Sequence, residues 1–273
     1  MAAIGIVLGL ALLGGQAEPA PLAPAGAWGV NVEDDMCVLS RPFGRADRPV
    51  TIALRQSPLA EIVTLVMIQP DGSGNSKASR GQARIILTPS GKRVEGEYLS
   101  AILPPDNRRA TMVTLDRAVF DEIGTSSMVS VAAEGAAIRF APTATAAGLR
   151  ALDDCTSKVM QLWGIDPAEQ AAIAQPAKAA NSAMWFELAD YPKEALRQSL
   201  GGTSMILWRI GVDGRVSDCK TIGSSGNALL DEAACGAILR RGRYSPALNK
   251  DGVPVPSSAT RRVTWMLPRT IRR

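Results

Sequence analysis

The chain of 273 residues contains no histidine. That absence removes imidazole zinc sites, Ser-His-Asp triads and Cys-His dyads together. Aromatic residues supply only 4% of the sequence while hydrophobic residues supply 46%, so its cores are built mainly from Ala, Leu, Ile and Val. Cysteine is scarce: there are four, with no C-x-x-C pair, which argues against a thiolate zinc site. No D-[ST]-G, G-x-S-x-G or phosphate-cradling glycine loop occurs. Asp153 and Asp154 are adjacent, and adjacent helical residues point to different sides, so they do not form a two-carboxylate site. Ser224 and Ser225 have no base within sequence reach and fit a turn before a helix. The chain therefore reads as a protein without catalytic residues, cofactor or metal.

Long apolar runs are also lacking, with one exception. Residues 2–15 are apolar throughout, yet fall short of the roughly 20 residues that span a bilayer. With small residues up to Ala17, the run fits an export leader over residues 1–17, or as far as 27. A buried core helix or a short inner-membrane anchor is the alternative. Four cysteines in an exported chain suggest two disulfides, with three pairings to choose from. The net charge is +4 and uneven: from Ala183 onward there are 14 Lys and Arg against 8 Asp and Glu. In an exported protein this basic end suits acidic proteins, anionic lipid or cell-wall polymer rather than nucleic acid, or is simply a solvated face.

Residues 28–166 read as β-rich. "VTIALRQ", "EIVTLVMI", "ARIILTP" and "SMVSVAA" are short β-branched runs between turn signals. Ser90-Gly91 marks a hairpin, and Gln69–Gln82 is a polar loop. An antiparallel sandwich or small barrel follows, closed by a helix in "AAGLRALDDCTSKVMQLWGID". On that helix Leu149, Leu152, Val159 and Leu162 form a stripe that includes Cys155. Cys37, in the first strand, is its natural disulfide partner, the alternative being two buried thiols. Residues 167–184 are Ala/Gln/Pro-rich and read as a linker, with room for a short Ala-rich helix inside it.

In residues 185–268, Ile206, Trp208, Ile210 and Val212 alternate on one strand, and Asp213-Gly214 predicts a two-residue hairpin turn. That turn sets Trp208 opposite Cys219. A helix follows, with Asn227 as N-cap, Asp231 and Glu232 near its positive end, and Arg240, Arg241 and Arg243 at its negative end. Cys235 on its flank can meet Cys219. A last strand carries Val263 and Trp265 alternating with Arg262 and Thr264, and it is expected at a sheet edge. The expected class is α+β: a sandwich or barrel-like domain closed by a helix, then an antiparallel sheet with two helices on one face.

"DYPKEAL" (Asp190 to Leu196), "GVDGRVSDC" (Gly211 to Cys219), "SSGNALLDEAA" (Ser224 to Ala234), "RYSPAL" (Arg243 to Leu248) and "KDGVPV" (Lys250 to Val255) together resemble the C-terminal domain of the TonB family of periplasmic energy transducers in Gram-negative bacteria. The resemblance implies a periplasmic location and a binding mode. An extended segment of an outer-membrane receptor, or another periplasmic protein, would pair with the last strand, here Thr260, Arg261, Arg262, Val263, Thr264, Trp265, Met266 and Leu267. Tyr191 and Pro192 would begin the first helix near the receptor-facing end, and a homodimer is a further option. The chain departs from the family in lacking a full spanning helix with its histidine and a long Pro- and Lys-rich spacer. Energy-coupled transport is thus one expectation, and an envelope protein binding peptidoglycan or anionic lipid is the other. "WGVNVEDDMCVLSR" and "LRALDDC" are loosely similar to secreted β-sandwich families such as the invasion-associated locus B type, and no residue roles follow from that likeness.

Overall fold

A computed structural model describes residues 19–33, 36–59, 62–70, 77–133 and 136–267. The apolar run at residues 2–15 lies outside them. Among the described residues no helix is long and apolar enough to cross a membrane.

The first unit contains nine strands: β1 (Gly29–Glu33), β2 (Met36–Arg45), β3 (Arg48–Gln56), β4 (Ile62–Pro70), β5 (Ser79–Thr88), β6 (Lys92–Leu103), β7 (Arg108–Asp116), β8 (Met128–Ala133) and β9 (Ala136–Phe140). Helix α1 (Arg117–Thr125) interrupts them and α2 (Thr145–Leu162) follows. The strands form one sheet in the order β1-β2-β3-β4-β7-β6-β5-β8-β9. Of the two forms expected, this is the curled, barrel-like one rather than two packed sheets. Its inner face follows the period of two: Leu39, Leu54, Leu65 and Val113 are successive partners across four strands, and all are fully buried.

The curl is held by a segment that sequence reading left outside the domain. The Leu22 N–H donates to the Arg139 carbonyl (2.7 Å), and the Gly44 N–H donates to the Ala23 carbonyl (2.7 Å). This stretch therefore bridges β9 to the far end of β2. A leader ending at residue 27 would remove this bridge. The loop expected over Gln69–Gln82 is also shorter than predicted. Gln69 and Pro70 continue β4 against Arg109 and Arg108, and Ser79–Gln82 continue β5 against Ser100–Glu97. Ladder partners override polar local composition there.

Helix α2 packs over the barrel through Leu149, Leu152, Val159 and Met160. A Cβ at Gly148 would sit 2.9 Å from the Leu39 side chain, so glycine is what lets the helix approach β2. Cys155 is bonded to Cys37 across 118 residues. Leu162, expected in the buried stripe, is 84% exposed. At about 100° per residue it has rotated out of the stripe, and Trp163 fills the core place instead. The left-handed Gly164 (φ 70°) then ends the helix.

The stretch read as a linker is clasped along its length. It holds α3 (Pro167–Ala171), capped by Asp166, and β10 (Lys178–Ala179). The second unit then runs α4 (Lys193–Arg197), β11 (Gly202–Ile210), β12 (Val216–Gly223), α5 (Ala228–Arg241), β13 (Tyr244–Ser245), β14 (Ala247–Leu248), β15 (Pro254–Val255) and β16 (Ser257–Trp265). β10 pairs with β13, and Gln175 bridges to Leu248. The sheet order is β12-β11-β16. Helices α4 and α5 cover one face through Ala195, Leu230, Ala234 and Ile238, packed on Ile206, Trp208 and Ile210.

The hairpin between β11 and β12 differs from the expected two-residue turn. Ile210 pairs with Val216, and the Gly211 N–H donates to the Arg215 carbonyl (2.9 Å). The register then slips back by one between Arg209 and Leu207, at Asp218, which has φ 50°. Docking of the hairpin tip explains the wider turn. Gly214 (φ 74°) leaves room for the Tyr244 carbonyl, which lies 1.8 Å from where a Cβ would be. Val212, expected in the buried stripe, consequently lies on the tip, 53% exposed.

The opposite face of β11 is also covered. Met205 and Leu207 are buried in the same cluster as Val159, Trp163 and Ile165 of the first unit, with Ile222 packed beside them. Lys220 Nζ donates to the Trp163 carbonyl (2.7 Å), and Arg209 lies 3.7 Å from Glu169. The barrel is docked on the back of the second sheet.

Candidate interaction edge

β16 is one edge strand of the three-stranded sheet, β12 being the other. β16 pairs with β11 over nine residues without a bulge, from Ser257 opposite Ile210 to Trp265 opposite Gly202, and among the described residues with no other strand. Peptide groups alternate in direction along an antiparallel strand. Counted from Gly211, whose N–H points to β12, that alternation turns the peptide groups of Ser258, Thr260, Arg262 and Thr264 away from β11. Four alternate residues thus present their N–H and C=O groups on the free side.

The side chains divide by face. Val263 and Trp265 are buried under the helices, and Ala259 packs with them. Arg261 points to the same side, with its guanidinium 4.9 Å from the centre of the Phe186 ring and donating to the Ser182 carbonyl (3.1 Å). On the other face Thr264 meets Thr203, with hydroxyls 3.2 Å apart, while Arg262 is exposed and Thr260 half-buried. Met266, 76% exposed, and Leu267 extend beyond the strand end.

The structure places Tyr191 behind the edge rather than beside it. Its ring is buried and packs edge-on to Trp265 at 5.2 Å, and its hydroxyl donates to the Leu200 carbonyl. Tyr191 therefore props the end of β16 and offers little surface of its own. Pro192 is the N-cap of α4, with φ −60°.

A buried polar chain secures the same strand end. Trp265 Nε1 donates to Ser204 Oγ (3.2 Å), which donates to Asp231 Oδ1 (2.7 Å). Asp231 also accepts from Ser224 Oγ (2.6 Å) and the Ser225 N–H (2.9 Å). Burial pushes the Asp231 carboxyl up, but the bonds from Ser224, Ser225 and Ser204 outweigh it and hold the group below its ordinary value. Sequence reading assigned Asp231 only to the helix dipole. It could not find Ser204, which lies 27 residues away in a strand. Asn227 caps α5 by accepting from the Leu229 N–H (3.0 Å).

The basic C-terminal turn of α5 is committed internally. Arg240 and Arg241 both bond Asp190, whose side chain is only 5% exposed. Cys219 and Cys235 are bonded, with Cα atoms 5.5 Å apart, fastening α5 to β12. Tyr244, stacked near Trp185 at 5.1 Å, has its hydroxyl pushed up to about 12 by burial, with the Arg261 charge acting the other way.

A three-stranded antiparallel sheet with helices on one face and an open nine-residue edge defines a small α+β module. Residues 187–267 match the model of the family described as Gram-negative bacterial TonB protein C-terminal, so this module is similar to that domain. The match leaves the barrel outside it. No curated protein matches the chain.

Proposed function

We propose that the protein works in the periplasm, where β16 captures an extended segment of an outer-membrane receptor or another envelope protein by strand addition. The observation that carries this reading is the unpaired β16 edge with its outward peptide groups at Ser258, Thr260, Arg262 and Thr264. Backbone pairing supplies the affinity, and the flanking side chains supply selection. Energy-coupled transport is the role in which such capture would serve. The barrel, docked on the back of the sheet, takes the place of a flexible spacer. The basic end gives less support to a cell-wall or lipid-binding role, because Arg240 and Arg241 share Asp190 as an ion-pair partner and Arg261 lies over Phe186.

Deleting the strand is a poor test, since it removes Val263 and Trp265 from the core. Thr260→Pro removes one outward N–H and leaves the β11 ladder in place, as proline is tolerated on an edge. One or two lost backbone bonds at about 1 kcal/mol each weaken binding roughly 5- to 30-fold. The readout is the affinity of labelled peptides from receptor N-terminal segments, with Thr260→Ala as control. Equal affinity for the proline and alanine variants would refute docking at this edge.

A further inference from the structure

β1 is a second open edge. Among the described residues it pairs only with β2, and Gly29, Asn31, Val32 and Glu33 are exposed. Helix α2 runs alongside, and its small residues Ala147, Gly148 and Ala151 leave a groove against the strand. A hollow of about 460 Å³ near Trp28 and another of about 400 Å³ near Leu162 share Val30 and Ala151, so the groove is continuous. Val32 (60% exposed) and Leu162 stand at its rim.

Two features of the groove point to its occupant. The first is the strand itself. Paired antiparallel to a second copy about Asn31, "GVNVE" sets Val30 opposite Val32 of the partner subunit and Gly29 opposite Glu33 of the partner subunit. No like charges oppose each other, and four valines meet on one face. Each Glu33 also approaches the end of the partner's groove that holds its arginine, since Arg41 lines the hollow near Trp28.

The second feature is the charge on α2. Asp154 and Lys158 are one turn apart and line the same hollow as Asn31. Neither has an ion pair among the described residues. A two-fold axis through Asn31 reverses α2, which brings Asp154 to Lys158 of the partner subunit and the reverse. Strand and helix are thus self-complementary about one axis, the signature of an isologous contact.

We infer that this protein forms a two-fold dimer through the β1 edges and the outer faces of α2. The interface lies on the barrel and leaves β16 open, so each dimer presents two capture edges. This proposal does not depend on what β16 binds.

The test is the molar mass of the full, oxidised chain by light scattering and sedimentation. Wild type is expected at twice the monomer mass. Val32→Asp and Leu162→Asp replace exposed side chains and should each yield a monomer with unchanged circular dichroism. Asp154→Lys and Lys158→Asp should each weaken the dimer roughly tenfold, and the double exchange should recover it. Thr260→Pro should leave the mass unaltered. A wild type that stays monomeric at its solubility limit, a dimer that survives Val32→Asp, or a double exchange that fails to recover would each overturn the inference.

Discussion

Replacing Asp231 with alanine should loosen the end of the capture strand more than its position on a helix suggests. The carboxylate accepts from Ser204, Ser224 and the Ser225 N–H. Ser224 is half-exposed, so water replaces its partner at little cost. Ser204 is fully buried, and stranding its hydroxyl costs about 1–3 kcal/mol. Loss of the bond to the Ser225 N–H, ahead of α5, adds about 1 kcal/mol by analogy with other caps. The sum is near 3 kcal/mol, a large share of a typical domain stability of about 5–15 kcal/mol. Hydrogen exchange of peptides covering Gly202–Ile210 and Ser257–Trp265 reads this locally, and a loss of that size speeds exchange roughly 100-fold. Acid provides a second readout. The folded-state carboxyl titrates below its unfolded value, so its stabilisation is complete above the ordinary carboxylate range and is lost as pH falls through the folded value. Asp231→Asn lacks that contribution, so its gap from wild type should narrow as pH falls below the ordinary carboxylate range. The reasoning fails if alanine leaves exchange within a few-fold of wild type, or if the gap is independent of pH.

Three other outcomes follow from the same geometry. The Cys219–Cys235 bond closes a loop of 16 residues, so Cys219→Ser/Cys235→Ser should cost about 3 kcal/mol in urea unfolding; a loss under about 1 kcal/mol would contradict the loop-entropy argument. One tyrosine of three should titrate near pH 12 by absorbance, and Tyr244→Phe should abolish that phase; the raised value means its stabilisation holds below the unfolded tyrosine value and fades as pH rises toward 12. Residues 185–267 excised from the barrel expose Met205, Leu207 and Ile222, so the fragment should bind the dye ANS and self-associate; a monodisperse fragment without dye binding would show that the docked face contributes little.

Legibility in the sequence follows the range of the signals. Period-two runs, the Ser90-Gly91 turn and the Asn227 cap are local, and each marks an element that the structure contains. The edge position of β16 was legible too, because a strand arriving after a long connection has few places left in a small sheet. Contacts between distant segments were not. The run Met205–Trp208 is apolar at every position, which signals burial on both faces, but nothing in the sequence names the barrel as the second cover. Register also escaped, since Asp213-Gly214 predicts a tight turn and only the Tyr244 carbonyl packed on Gly214 requires the wider one. The polar chain from Trp265 to Asp231 joins three segments and leaves no local pattern at all.

Open edges such as β1 and β16 raise the question of why they do not pair indiscriminately, because an unpaired strand is a template for any extended chain. Different devices limit them. β1 is only five residues long, too short to hold a guest strand by backbone bonds alone, and its selectivity must come from α2 beside it. β16 is long and regular, and it carries Arg261 and Arg262 in mid-strand. Arg261 is held over Phe186 on the helix face and Arg262 is exposed on the other face, so a guest passes a long cationic side chain on either side. The barrel covers Met205 and Leu207, the apolar face through which two such sheets would otherwise stack. The chain is thus arranged so that the edge suited to pairing with itself is the short one, and the edge suited to a foreign segment is the long one whose apolar back is already covered.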